Sequence, residues 1–154
     1  MGLIVAGPAT VHAAPSATLA VSATVVAGCL VVGGVSNYGT LAFGTYSALS
    51  TSVATTSLAN GVTLQCTPGV TLNMKVDGGQ NSSSGRNLKS GSSLVAYQLY
   101  RDAALSQALA VSTSVAVSYT DANNISLPIY GRVALPGTAP AGSYSDVLQV
   151  ELSW

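Results

Sequence analysis

The residues of this sequence that could do chemistry are few: one histidine, His12, two cysteines, Cys29 and Cys66, and five carboxylates, Asp77, Asp102, Asp121, Asp146 and Glu151. A Ser-His-Asp or Cys-His relay needs a base beside its nucleophile. His12 lies in the apolar start of the chain, inside a segment that reads as a removable leader. The chain left after cleavage would hold no imidazole. The carboxylates are scattered, and no two stand at a spacing that marks an acid/base pair. A glycosidase dyad can still be gathered from distant residues, so spacing alone leaves that alternative open. Asp77-Gly78-Gly79 offers one carboxylate among glycines, which reads as a turn before it reads as a calcium ligand. Neither a cofactor nor a metal is expected, and the chain is read as a non-enzyme.

The cysteines carry the one firm chemical expectation. An isolated pair in an exported chain forms a disulfide. Two thiols without nearby histidine supply too few ligands for zinc, and redox catalysis usually uses closer spacing. Export itself is read from Met1 to Ala13, an apolar run ending in Val11-His12-Ala13, which fits small-residue cleavage before Ala14. No Lys or Arg precedes Lys75, so the expectation is a leader over residues 1–13 truncated at its basic start.

Composition narrows the class. Charged residues make up 6% of the chain against an average of about 25%. Such a surface suits a subunit packed against copies of itself rather than a freely soluble monomer. Five basic and five acidic residues cancel, so nucleic-acid binding and docking to anionic membranes lack an electrostatic basis.

The elements that must position these residues are strands. Apolar residues alternate with polar or small ones over 19–25, 62–66, 70–76, 95–99, 115–119 and 148–154, as half-buried strands require. In the last, Leu148, Val150, Leu152 and Trp154 face one way while Gln149, Glu151 and Ser153 face the other. Turn formers cluster at Gly33-Gly34, Asn81 to Gly85, Asp121 to Asn124 and Pro136 to Gly142. Residues 77–93 read as a long polar loop, and 103–110 as a helical turn or an irregular crossing. Many short strands with such breaks indicate an all-β sandwich or barrel in one domain. In Tyr97-Gln98-Leu99-Tyr100-Arg101-Asp102, Tyr97 and Leu99 share a strand face, and Arg101 and Asp102 are expected to pair locally. Gly131, between Tyr130 and Arg132, is expected to permit a bulge or a close approach.

Several motifs in order resemble one known family. They are Gly28-Cys29, Tyr38-Gly39-Thr40-Leu41-Ala42-Phe43-Gly44, Val62-Thr63-Leu64-Gln65-Cys66, Asp77-Gly78-Gly79, Arg86-Asn87-Leu88, Val95 to Ala103, Pro128-Ile129-Tyr130-Gly131-Arg132 and Gly142-Ser143-Tyr144-Ser145-Asp146. Together they resemble the spore coat protein U domain family, as found in subunits of archaic chaperone–usher pili such as Csu pili. The resemblance implies an incomplete immunoglobulin-like β-sandwich, short of its last strand and completed by a donor strand from a neighbouring subunit. On that basis residues 14–25 are expected to form the donor segment and 26–154 the pilin domain. Leu19, Val21, Ala23 and Val25 would enter a neighbour's groove; the alternative is that they form the first strand of their own domain. Leu148, Val150, Leu152 and Trp154 would line the acceptor groove. The implied partners are identical or related pilins in a head-to-tail filament, a periplasmic chaperone and an outer-membrane usher. The implied location is a cell-surface pilus reached through the periplasm, serving attachment and biofilm formation. The alternatives are a secreted coat or matrix protein with a self-sufficient sandwich, and a tip-type adhesin.

Overall fold

The computed structural model describes residue 2 and residues 17–154. Apart from Gly2, the expected leader lies outside the described residues, as do residues 14–16 of the expected donor segment. Ten strands follow in order: β1 (Cys29–Val31), β2 (Val53–Ser57), β3 (Thr63–Cys66), β4 (Asn73–Val76), β5 (Arg86–Ser90), β6 (Ser93–Tyr100), β7 (Val115–Ala116), β8 (Ile125–Ser126), β9 (Tyr130–Ala134) and β10 (Val150–Ser153). One 3-10 turn, Val32–Gly34, is the sole helical element among the described residues.

All pairings between these strands are antiparallel, in three sheets ordered β2-β9-β6-β5, β1-β3-β8 and β10-β4-β7. The central strands β3 and β4 follow one another in the chain, so the two small sheets are successive parts of one run. A single core joins all three sheets: Ala54 and Val133, Val95, Tyr97 and Leu99 from the large sheet, Leu64 and Ile125 from one small sheet, Met74 and Val76 from the other. This all-β sandwich matches the fold class expected from the alternation.

The longest strand shows why the pattern was readable. In β6, Val95, Tyr97 and Leu99 are buried, while Leu94, Ala96 and Gln98 are exposed. Period-two alternation puts every second side chain on the core face. Phe43 meets Tyr97 edge-on, with ring centroids 6.1 Å apart. It also closes over Gly131, where a Cβ would stand 2.8 Å from the Phe43 ring. Gly131 thus serves a close approach, by a ring rather than by backbone. Gly131→Ala is expected to cost about 1–3 kcal/mol through overpacking, read as a lower urea midpoint with an unchanged slope.

Four expectations are corrected. Residues 19–25 form no strand: among the described residues nothing pairs with them, and alternation without a partner ladder leaves the segment exposed. The strand expected from residue 70 begins at Asn73, after the Pro68-Gly69 turn, and the one expected over 115–119 is assigned only at Val115–Ala116. The polar stretch 77–93 contains β5, joined to β6 by the two-residue turn Gly91-Ser92. Its strand character was hidden because its buried side chains include Arg86 and Asn87. Of the two readings of residues 103–110, the irregular crossing is the one observed, with a bridge from Ala108 to Tyr100.

Candidate functional site

The last strand lies at an open edge of its sheet. β10 pairs with β4 in the register Val150–Val76, Glu151–Lys75, Leu152–Met74 and Ser153–Asn73. Its other edge has no partner strand among the described residues. Leu148, Val150 and Leu152 pack against the core yet stay half-buried, and Val147 is exposed. Trp154 is 58% exposed and stands beside Gly28, where a Cβ would lie 3.6 Å from the indole nitrogen. An edge strand with free N–H and C=O groups and a partly uncovered apolar face is a template for another strand.

Beside the segment leading into β10 runs an open groove of about 900 Å³. Leu41, Phe43, Leu88, Val95, Val133 and Tyr144 are among the residues that line it. Its lining is chiefly apolar, with Asp146 as the ionisable acid. An extended apolar chain is the kind of occupant such a trough fits.

The expected donor residues are solvent-facing. Leu19 and Val21 are each 87% exposed and Val25 is 94% exposed; Ala23 and Val26 are exposed as well. The segment ends where the disulfide begins. Cys29 and Cys66 are bonded, joining the first residue of β1 to the last of β3. Gly28 adds a further pair, accepting from Thr67 N at 2.9 Å and donating to Thr67 Oγ1 at 3.1 Å. The chain therefore passes from an exposed apolar segment to a cross-linked strand between Val26 and Cys29.

Each carboxylate of the sequence is held in a structural contact. Asp102 accepts from Ser106 N, Ser106 Oγ and Gln107 N, in place of the expected pairing with Arg101. The Ser106 hydrogen bond, with help from the backbone donors, holds its carboxyl below the usual range. Asp121 accepts from Asn123 N at 2.9 Å. Glu151 meets Lys75 at 2.7 Å across the β4–β10 ladder. Both ends of that pair are well exposed. Glu151→Gln is therefore expected to cost under about 1 kcal/mol, shrinking further with added salt, as a urea titration at two ionic strengths would show. Asp77 and Asp146, both partly buried, belong to a cluster around a buried arginine, and no group of three or more potential metal ligands occurs among the described residues.

That cluster is centred on Arg86, only 5% exposed. Its guanidinium donates to the carbonyls of Asp77 at 2.8 Å, Val76 at 2.9 Å and Leu109 at 2.6 Å. Burial pulls its pKa down from the ordinary value, opposed by the negative groups around it. Tyr97 donates to Asp146 Oδ2 at 2.8 Å, and burial followed by that bond pushes the phenol well up. Asn81 donates to Asp146 Oδ1 from its backbone at 3.1 Å and its side chain at 3.0 Å. Gly79, at φ 81°, lets the carboxylate in: a Cβ there would lie 2.0 Å from Asp146 Oδ2. Sequence reasoning noted Arg86 and Asn87 only as parts of an ordered motif, and Asp146 as one of the scattered carboxylates and as part of another motif. A polar residue at a position that alternation assigns to the core was the available signal. Gly79→Ala combines a forbidden contact with left-handed strain, and a loss of roughly 2–4 kcal/mol is expected by chemical denaturation.

The sequence profile of the Spore Coat Protein U domain matches residues 16–151. The chain belongs to the Spore Coat Protein U domain family. Among curated proteins, none matches it. Among solved structures, it is similar to a chain in the crystal structure of the CsuC-CsuE chaperone-tip adhesion subunit pre-assembly complex from archaic chaperone-usher Csu pili of Acinetobacter baumannii. The TM-score is 0.52 at 18% identity, over 85% of this chain and 40% of that one. This Spore Coat Protein U domain thus spans less than half the length of the chain it matches. At that identity the likeness is one of fold.

Proposed function

We propose that this chain is a structural subunit of a chaperone–usher pilus, polymerising by donor-strand complementation. One observation carries the reading: a strand edge without a partner and an apolar segment without a strand occur in the same chain. β10 offers free backbone groups and half-buried Leu148, Val150 and Leu152. Residues 17–27 offer Leu19, Val21, Ala23 and Val25 at every second position, all exposed. The segment of one copy adds to the open edge of the next and lays these side chains toward its core. Such a contact is head-to-tail and does not close, so it propagates as a filament.

The same edge would be covered before assembly by a periplasmic chaperone and released at an outer-membrane usher. The chain would then be exported, processed after Ala13 and displayed on the cell surface, where the filament supports attachment and biofilm formation. The low charge and the family membership support this reading. A self-sufficient coat sandwich would instead need residues 17–27 inside its own sheet.

Co-expression with a candidate periplasmic chaperone is the test. A stable one-to-one pair, giving way to multimers when chaperone-bound copies are incubated together, is the expected result. A lone monomer, indifferent to the chaperone and to its own copies, would sink the proposal.

A further inference from the structure

We propose that Asp77 and Asp146 are positioning residues for the open edge: they fix the point where the final segment crosses between sheets, and so hold β10 in register before any partner strand arrives. The inference deepens the assembly reading above and rests on it for its biological use.

The crossing takes only a few residues. Ser145 exchanges both backbone hydrogen bonds with Lys89 of β5, at 2.9 and 3.1 Å, and so borders the four-stranded sheet. The carbonyl of Val147 then accepts from Gln80 N at 3.0 Å, and that of Gln149 from Asp77 N at 3.0 Å. By Val150 the chain belongs to the β10-β4-β7 sheet. A strand that changes sheets must bend, and its backbone groups cannot all reach ladder partners at the bend.

Side chains take over at that point. Gln149 N donates to the Asp77 carboxylate at 2.9 Å, while the Asp77 carbonyl is occupied by Arg86. The same carboxylate oxygen accepts from Gly79 N at 3.0 Å, which closes the turn after β4. Asp146 turns inward under Gly79 and binds Tyr97 of β6 and Asn81 of the adjoining loop. One aspartate therefore ties the crossing to the end of β4, and the other ties it to the large sheet. Arg86 bonds to backbone carbonyls only, so the two carboxylates balance its charge from within the same cluster.

Downstream of the crossing β10 has one ladder and one exposed ion pair. A strand held on a single edge frays unless its ends are fixed. The anchoring bonds sit upstream of β10, away from the edge a partner would take.

Hydrogen exchange on the full chain tests this, with a synthetic peptide of residues 17–28 as the probe for edge binding. In Asp77→Ala and Asp146→Ala, amides of 149–153 should lose at least about tenfold protection while those of β6 and β9 keep theirs, and peptide affinity should fall by roughly the same factor. Asp77→Asn retains an accepting oxygen and should keep most of the protection. Should Asp146→Ala not fold, Tyr97→Phe removes one of the bonds to Asp146, keeps the ring, and should give a smaller loss in the same amides. Uniform loss across all sheets, no loss, or failure of the Asn variant to rescue overturns the positioning role. A wild-type chain that ignores the peptide overturns the assembly reading, and the exchange pattern still decides the role of the aspartates.

Discussion

Deleting residues 14–25 is expected to abolish self-assembly while leaving the melting temperature of the remaining domain essentially unchanged. Leu19, Val21 and Val25 are 87–94% exposed, and residues 17–27 contribute no strand. Changes at exposed positions outside any strand usually alter stability by no more than about 0.5 kcal/mol. Assembly has far more to lose. Each buried Leu or Val is worth roughly 1.5–3 kcal/mol, and an added backbone ladder contributes beyond that. The measurement is paired: electron microscopy or light scattering for filaments, and thermal unfolding for the lone domain. Val21→Asp should reproduce the assembly defect alone, because it forces a carboxylate into an apolar groove. A shortened chain that unfolds many degrees earlier would assign the segment to its own sandwich. Filaments formed by the shortened chain would remove it from assembly altogether.

The second large effect falls on the disulfide. Replacing Cys29 and Cys66 together by alanine is expected to cost about 3–4 kcal/mol, from the loss of a constraint on the unfolded chain across a separation of 37 residues. Of that order, a single substitution pair removes a large share of the margin of a typical domain. The damage has a location as well. β1 is three residues long and meets β3 at Cys29–Cys66, so without the cross-link its hold on the fold is a short ladder and the Gly28–Thr67 pair. Urea denaturation of the oxidised chain, the reduced chain and the double variant measures the loss. Proteolysis near residues 28–35 should appear first in the reduced form. Equal midpoints for all three would show that β1 is held by packing alone.

Much of the β architecture was legible because alternation is a local signal. In β6 and β10 the residues that face the core are apolar at every second position, so a reader of the sequence sees the buried face directly. β5 was not legible, because Arg86 and Asn87 occupy buried positions where alternation expects apolar side chains, and Arg86 finds a partner as far off as the carbonyl of Leu109. Residues 19–25 failed in the opposite sense. Their alternation is as clean as that of β10, yet they have no strand in this chain. Period two reports a face that some partner will bury; it does not say which molecule provides the partner. The expected Arg101–Asp102 pair failed for a similar reason, since Asp102 found closer donors in Ser106 and Gln107 than in its neighbour.

From residue order alone came the all-β class, the disulfide partners and the apolar repeat at each end of the chain, because these depend on identity, spacing and count. Tertiary structure decided the rest: that β10 lies at a sheet edge, that Asp77 and Asp146 meet around Arg86, and that Gly79 must lack a side chain. Those are relations between segments as much as 72 residues apart, as in the Asp77–Gln149 bond, and only a folded backbone brings such groups within hydrogen-bonding distance.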